Sequence, residues 1–391
     1  MKKNTPFLIF AVYASFLALG MPDGAFGVAW PSIRYEMGLE LERAAFLIIV
    51  HSIFYSLCAS QTGRLAKKIP LGNISGVGFV LLMLGILGFS LAGDIYELAA
   101  ATAVLGCGMG LVDSGVNAFA AKRFSAKHMN WLHCFWGMGG AISPVILRQM
   151  IIFYDWRVGY RTVFAIQAAI GIVVAVSIFR GLWATGDDDA TAEETVTHNP
   201  DKVYLTSRVF IVMQWLIFFV YTTFEYSMTF WTVSVLIEGR GVPFETAGLF
   251  PAVYLGCLMA GRFVFGYFTT RFSGSHIVRY GLLLSIVGLG VLVLSSNIAG
   301  VALVGFGFAP VFPCLMNETK IRFKPEILSK LVGLQIAAAG MGVALSALVM
   351  GRILAYISFE ALFPTVIICV LIAFSMNEFI DFNLRRKEAR K

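Results

Sequence analysis

Residues 6–33 read PFLIFAVYASFLALGMPDGAFGVAWPSI, apolar almost throughout, with Asp23 as the one formal charge. About 20 such residues in a helix cross the ~30 Å hydrocarbon layer of a bilayer, so this run is long enough to span one. It exceeds the apolar core of a signal peptide and lacks a small-residue cleavage site, and it therefore reads as a retained first span. A carboxylate at the centre of a span costs about 2.5–3.5 kcal/mol on insertion scales, so Asp23 demands a reason. From a start near Phe7 it lies roughly 24 Å along the helix, past the middle of the bilayer. Pro22 beside it, with Gly20, Gly24 and Gly27, loosens the helix or admits a close neighbour.

The rest of the chain follows the same rule. Of 391 residues, 58% are hydrophobic and 14% charged, with 34 Phe and 39 Gly, and the mean hydropathy is +0.79. This is the composition of a polytopic membrane protein. Apolar runs begin near Phe7, Ala44, Leu71, Tyr96, Asn130, Val158, Val209, Phe244, Ile277, Ile298, Leu328 and Ala361. The expected fold is all-α, twelve transmembrane helices in two six-helix bundles. A polar stretch containing GDDDATAEET divides them into an N-terminal bundle (1–181), a cytoplasmic linker (182–207) and a C-terminal bundle (208–391).

A net charge of +7 suggests nucleic acid only until the bases are placed. Of the 30 Lys and Arg, 22 fall at the termini and in the even-to-odd loops, and five (Arg34, Arg43, Arg157, Arg161, Arg240) in the odd-to-even loops. That asymmetry puts both termini in the cytoplasm, as for a plasma or bacterial inner membrane protein, and excludes nucleic acid as a partner. The six cysteines all fall within spans without a CxxC, so neither a disulfide framework nor a metal site is expected.

The two halves repeat. GCG at Gly106–Gly108 runs on to Arg123-Phe124, and GFG at Gly305–Gly307 to Arg322-Phe323, a shift of 199 residues. GMGGAIS from Gly137 matches GMGVALS from Gly340, and Gly63 matches Gly266, both at a shift of 203. A parallel repeat of six spans implies bundles related by an axis along the membrane normal, with substrate bound near the midplane and alternating access.

Charged and polar residues inside the spans are the candidate site. Asp113 and Asn117 share a face of the fourth span, in VDSGVNAF. With Asp23 they suggest a proton relay. Glu225 stands 202 residues after Asp23, on a face with Tyr221 and Thr229 that can bind hydroxyls. His133 and Trp136, in LHCFWGMGG, offer an imidazole and an aromatic platform for a sugar ring. For each, packing or helix pairing without a ligand is the competing account, and for His51 it is preferred. Arg148 and Arg352, 204 apart, could hold an anion but stand toward the outer helix ends, where snorkelling suffices. Arg262 is expected at the cytoplasmic end of the eighth span.

These motifs resemble the major facilitator superfamily over essentially the whole chain. GRLAKK (Gly63, Arg64) resembles its loop between spans two and three, without the usual acidic residue, and GRFVFGYFTTRF (Gly261, Arg262, Gly266) is similar to the counterpart after span eight. The resemblance implies that these loops gate the conformational change. The first half looks like the fucose permease group of proton symporters: Asp23 matches the first-span aspartate, VDSGVNAF the fourth-span acidic motif with Asp113 in place of glutamate, and NWLHCFWGMGGAI the fifth-span motif with His133 in place of glutamine. The resemblance assigns proton coupling and sugar recognition to Asp23 and Asp113. GMGGAISP departs from the Gly-x-x-x-Gly-Pro arrangement of drug antiporters.

The expected function is proton-coupled symport of a sugar or similar small polar solute, by a monomer in the lipid bilayer, with no cofactor beyond the coupling ion. An efflux antiporter of amphipathic compounds, a carrier of organic anions, and a sensor that keeps the fold without transport are the alternatives. No nucleophile and base set, metal cluster or phosphate loop points to an enzyme.

Overall fold

The computed structural model describes residues 5–124, 126–183, 204–268 and 271–390. Twelve helices are long and apolar enough to cross a membrane: Pro6–Met37, Arg43–Leu65, Leu71–Leu91, Ile95–Ala120, Trp131–Phe153, Trp156–Phe179, Arg208–Gly239, Phe244–Phe268, Gly274–Leu294, Ile298–Arg322, Leu334–Tyr356 and Phe359–Glu388. We number them spans 1 to 12. The helices that contain these spans begin within four residues of the expected starts, that of span 11 at Pro325, and no strand occurs among the described residues. The protein is an all-α, multi-pass integral membrane protein.

The repeat reaches individual helix ends. The Asp94 carboxylate caps span 4 by accepting from the backbone N–H of Tyr96 and Glu97, each at 2.8 Å. Asn297, 203 residues later, caps span 10 by accepting from Ala299 N–H at 2.9 Å. Span 1 is followed by Gly38 at φ +61° and span 7 by Gly241 at φ +63°, again 203 apart. Only glycine adopts that left-handed turn without strain, and it ends the helix.

Helix packing repeats too. A Cβ on Gly139 would lie 1.9 Å from the Leu17 carbonyl oxygen, and one on Gly342 2.5 Å from that of Phe219. The two glycines are 203 apart and their partners 202 apart. Likewise Gly106 abuts the His51 carbonyl and Gly305 the Tyr254 carbonyl, at 2.6 and 2.3 Å for an added Cβ. Gly108 packs on Gly78, and Gly307 on Gly281. In hydrocarbon no hydrophobic force drives helices together, so backbone-to-backbone packing at small residues carries the association.

Span 1 continues as a helix through Pro22 and Pro31. Proline lacks an N–H, and so Pro22 leaves the Ala18 carbonyl without its intrahelical donor. Gln167 of span 6, fully buried, supplies the replacement: its Nε2 donates to the Ala18 oxygen at 3.0 Å. The repeat-related residues in the second half are Phe224 and Val370. The glutamine is present where the proline is and absent where it is not.

The halves differ at one end of the bundle. Arg322, counted above among loop cations, is fully buried. Its guanidinium donates to Asp381 (2.9 Å), Asn377 (2.7 Å) and Gln214 (2.9 Å), and Glu318 stands at 3.7 Å. In the first half the corresponding Arg123 donates to the Leu182 carbonyl at 3.3 Å. There the buried Trp183 indole lies tilted against Phe119, with centroids 4.6 Å apart, and is seated against Gly72. Residues 184–203 of the expected linker lie outside the described residues. Its edges are packed rather than loose, since Leu205 is buried and its N–H donates to the Arg322 carbonyl at 2.8 Å.

Contacts divide the chain into two compact units, Met1–Ala192 with Pro243–Ala252, and Glu193–Val242 with Val253–Lys391. The start of span 8 joins the first unit because the Arg148 Nε donates to the Glu245 carbonyl and the Arg148 stem packs at Gly248.

Two predictions concern stability, read as thermal unfolding of purified protein. Gly139→Val and Gly342→Val each cost about 1–3 kcal/mol or more through overpacking, whereas Gly63→Ala and Gly266→Ala, whose added Cβ atoms meet nothing within 4 Å, leave the melting temperature unchanged. Gln167→Leu costs about 1–3 kcal/mol by orphaning a carbonyl, and adding Pro22→Ala recovers most of that loss, because the restored N–H closes the helix.

Candidate functional site

In the first unit the close approach of spans 1 and 5 fixes Asp23. A Cβ on Gly20 would lie 1.9 Å from the Trp136 carbonyl oxygen and one on Gly24 2.0 Å from that of Gly140. Between these contacts the half-buried Asp23 carboxylate accepts a hydrogen bond from the Trp136 indole N–H at 3.1 Å. The aromatic expected as a sugar platform thus also orients the carboxylate.

Asp113 is held by two neutral donors. The Asn117 amide donates to its Oδ1 at 2.7 Å, one helical turn away, and the Tyr55 hydroxyl of span 2 donates to its Oδ2. The Tyr55 ring stacks on His51, centroids 6.0 Å apart, and the His51 Nε2 contacts the Met109 sulfur at 3.3 Å. Among the described residues neither Asp23 nor Asp113 forms an ion pair. His133 is exposed on span 5 and packs edge-on against Phe16 at 5.5 Å.

The second unit is built otherwise. Glu225 of span 7 forms an ion pair with Arg262 of span 8, with 3.5 Å between Oε1 and Nη2. Arg262, six residues from the end of span 8, stands in this polar cluster. The Tyr254 hydroxyl donates to the Glu225 carbonyl at 3.4 Å and interacts with Thr229, whose own hydroxyl donates to that carbonyl at 3.1 Å. Tyr221 is fully buried and its hydroxyl donates to the Phe308 carbonyl at 3.2 Å.

Around these clusters, Gly63 and Arg64 are exposed at the end of span 2, the Arg64 guanidinium donating to Gln61 at 3.2 Å. Gly261 is buried against Ala309 and the Phe306 carbonyl, and Gly266 is exposed. Arg352 is exposed on span 11. Among the described residues no group of His, Cys, Asp or Glu could hold a metal ion.

Three participants escaped the reading by residue type. Tyr55 and the Arg262–Glu225 pairing depend on which helix faces which, and a single span's spacing does not carry that. Tyr254 had a signal: it stands 203 residues after His51, so the repeat that pairs Asp23 with Glu225 also marks it.

No curated protein matches the sequence. Among solved structures, the chain is similar to the peptide transporter POT in complex with sulfate (12% identity, TM-score 0.73, covering 97% of this chain and 94% of that one). It is also similar to a mutant of the nucleoside transporter NupG (9%, TM-score 0.75, 95% and 98%). A third is a bacterial homologue of the human lysosomal transporter Spinster, inward-facing and occupied (13%, TM-score 0.70, 99% and 98%). At these identities the likeness is one of fold. The model of the Major Facilitator Superfamily matches residues 12–320, well over half of the sequence. Twelve spans in two repeated sets and a family match of that extent establish that the chain belongs to the Major Facilitator Superfamily.

Proposed function

We propose that this protein is a secondary active transporter that brings a small polar, sugar-like solute into the cell together with protons, by alternating access. The observation that carries the reading is the state of the two first-unit carboxylates: Asp23 and Asp113 lie in membrane spans and are supported by the Trp136 indole, the Tyr55 hydroxyl and the Asn117 amide, all neutral. A carboxylate held by a cation cannot take up a proton without leaving a buried positive charge uncompensated. One held by neutral donors can exchange its proton and keep its neighbours satisfied. Asp113 and Asp23 therefore serve as the proton-coupling pair.

Solute recognition falls to Asn117, His133 and Trp136 in the first unit and to Glu225, Thr229 and the supporting Tyr221 in the second. Likeness of the span 1, 4 and 5 motifs to the fucose permease group supports a hydroxylated solute. Gly63, Arg64, Gly261 and Gly266 mark the loops and helix ends that shift between states. The loop bases favour cytoplasmic termini, and the reading is completed by a monomer in the plasma or bacterial inner membrane, with neither a nucleic-acid partner nor a cofactor other than the proton.

Purified protein in proteoliposomes, with an inward proton gradient and radiolabelled monosaccharides or sugar acids outside, tests the reading. Wild type accumulates its solute above equilibrium and loses the accumulation when an ionophore collapses the gradient. Asp23→Asn and Asp113→Asn each reduce accumulation roughly tenfold or more, the scale set by one charged hydrogen-bonding group, while solute-for-solute exchange persists. Accumulation indifferent to the gradient would sink the coupling assignment, and proton-driven movement outward would favour export.

A further inference from the structure

The two units carry repeat-related carboxylates, but among the described residues only Glu225 has a cation beside it. Glu225 corresponds to Asp23 at a shift of 202 residues, and Arg262 to Ala59 at a shift of 203. The bundle architecture thus forms with alanine at this position and does not require arginine. A guanidinium in a span costs about 2.5–3.5 kcal/mol on insertion scales, and a buried ion pair often stabilises no better than apolar residues of the same volume. Fold stability alone leaves Arg262 unexplained.

The second unit also shows what a purely structural arginine looks like. Arg322 is completely enclosed and bonds at 2.7 to 2.9 Å to three side chains. Arg262 retains 22% side-chain exposure and Glu225 14%, and their contact is 3.5 Å. The pair is loose and accessible, and the hydroxyls of Thr229 and Tyr254 stand beside it. A guanidinium offers a planar fork that matches a carboxylate in bidentate fashion, which a lysine does not.

We propose that Arg262 is the residue that sets solute specificity, and that the solute is a small hydroxylated organic acid whose carboxylate takes the Arg262 fork. Glu225 is the resident counterion that this carboxylate replaces, the half-buried Thr229 receives a hydroxyl, and the fully buried Tyr254 holds the Glu225 backbone in place from behind. The proposal rests on the transport reading above and narrows its solute from sugar-like to sugar-acid-like.

The test is equilibrium binding of glucuronate and of glucose to purified full-length protein in nanodiscs. The two probes share a hydroxylated ring and differ in a carboxylate. Wild type binds glucuronate roughly tenfold to a hundredfold more tightly than glucose, the range of one charge-assisted hydrogen bond. Arg262→Gln loses the preference, Arg262→Lys keeps part of it, and Glu225→Gln raises glucuronate affinity by removing the competing carboxylate. Should Arg262→Gln fail to fold, the charge-balanced double variant Arg262→Gln with Glu225→Gln serves in its place and loses the preference likewise. Equal binding of both probes, preference for glucose, binding of neither, or a preference that survives removal of Arg262 overturns the proposal. Because binding is read without a gradient, failure of proton coupling appears separately, as uptake that ignores an imposed pH difference.

Discussion

Span 1 meets span 5 at backbone contact, and the placement of Asp23 against its donor depends on it. Gly20, Gly24 and Gly139 leave no room for side chains between the two helices. That approach brings the Trp136 indole N–H to the Asp23 carboxylate. A bulkier residue at any of the three would separate the helices and leave a carboxylate inside the membrane without its donor. The glycines are thus functional in consequence although their role is steric. The same contact recurs between spans 7 and 11 through Gly342 and the Phe219 carbonyl, with Glu225 one turn and a half further along span 7.

On this repeated frame the two units divide the chemistry. The first holds acids supported by neutral donors, suited to exchanging protons. The second pairs its acid with Arg262 and adds hydroxyls, suited to holding a polar, charged solute. Their inner supports diverge in the same sense, an indole filling the first unit beside Phe119 and a buried ion network around Arg322 in the second. Six spans used twice keep the packing contacts and change the side chains between them.

Much of this was legible in the sequence because hydrocarbon imposes simple rules. Span positions follow from apolar length, and the repeat from glycine spacing, since both reflect backbone geometry that tolerates little variation. Asp23, Asp113 and Glu225 stood out because each is a charge in an apolar run. The partners did not. That Tyr55 faces Asp113, that Arg262 turns to Glu225 instead of a loop, and that Gln167 closes the gap left by Pro22 are facts of helix rotation and pairing. Arg322 was misplaced for a related reason: positive charge near a span end ordinarily reads as loop, and only the acids on span 12 and at its own i−4 position reveal it as interior.

The account's central claim is that solute and proton enter together, and it is tested most directly by recording the interior pH of proteoliposomes with an entrapped dye while solute is added outside, membrane potential clamped and no pH gradient imposed. The account predicts that the interior acidifies at a rate that follows solute entry. Solute entry at constant interior pH would contradict it.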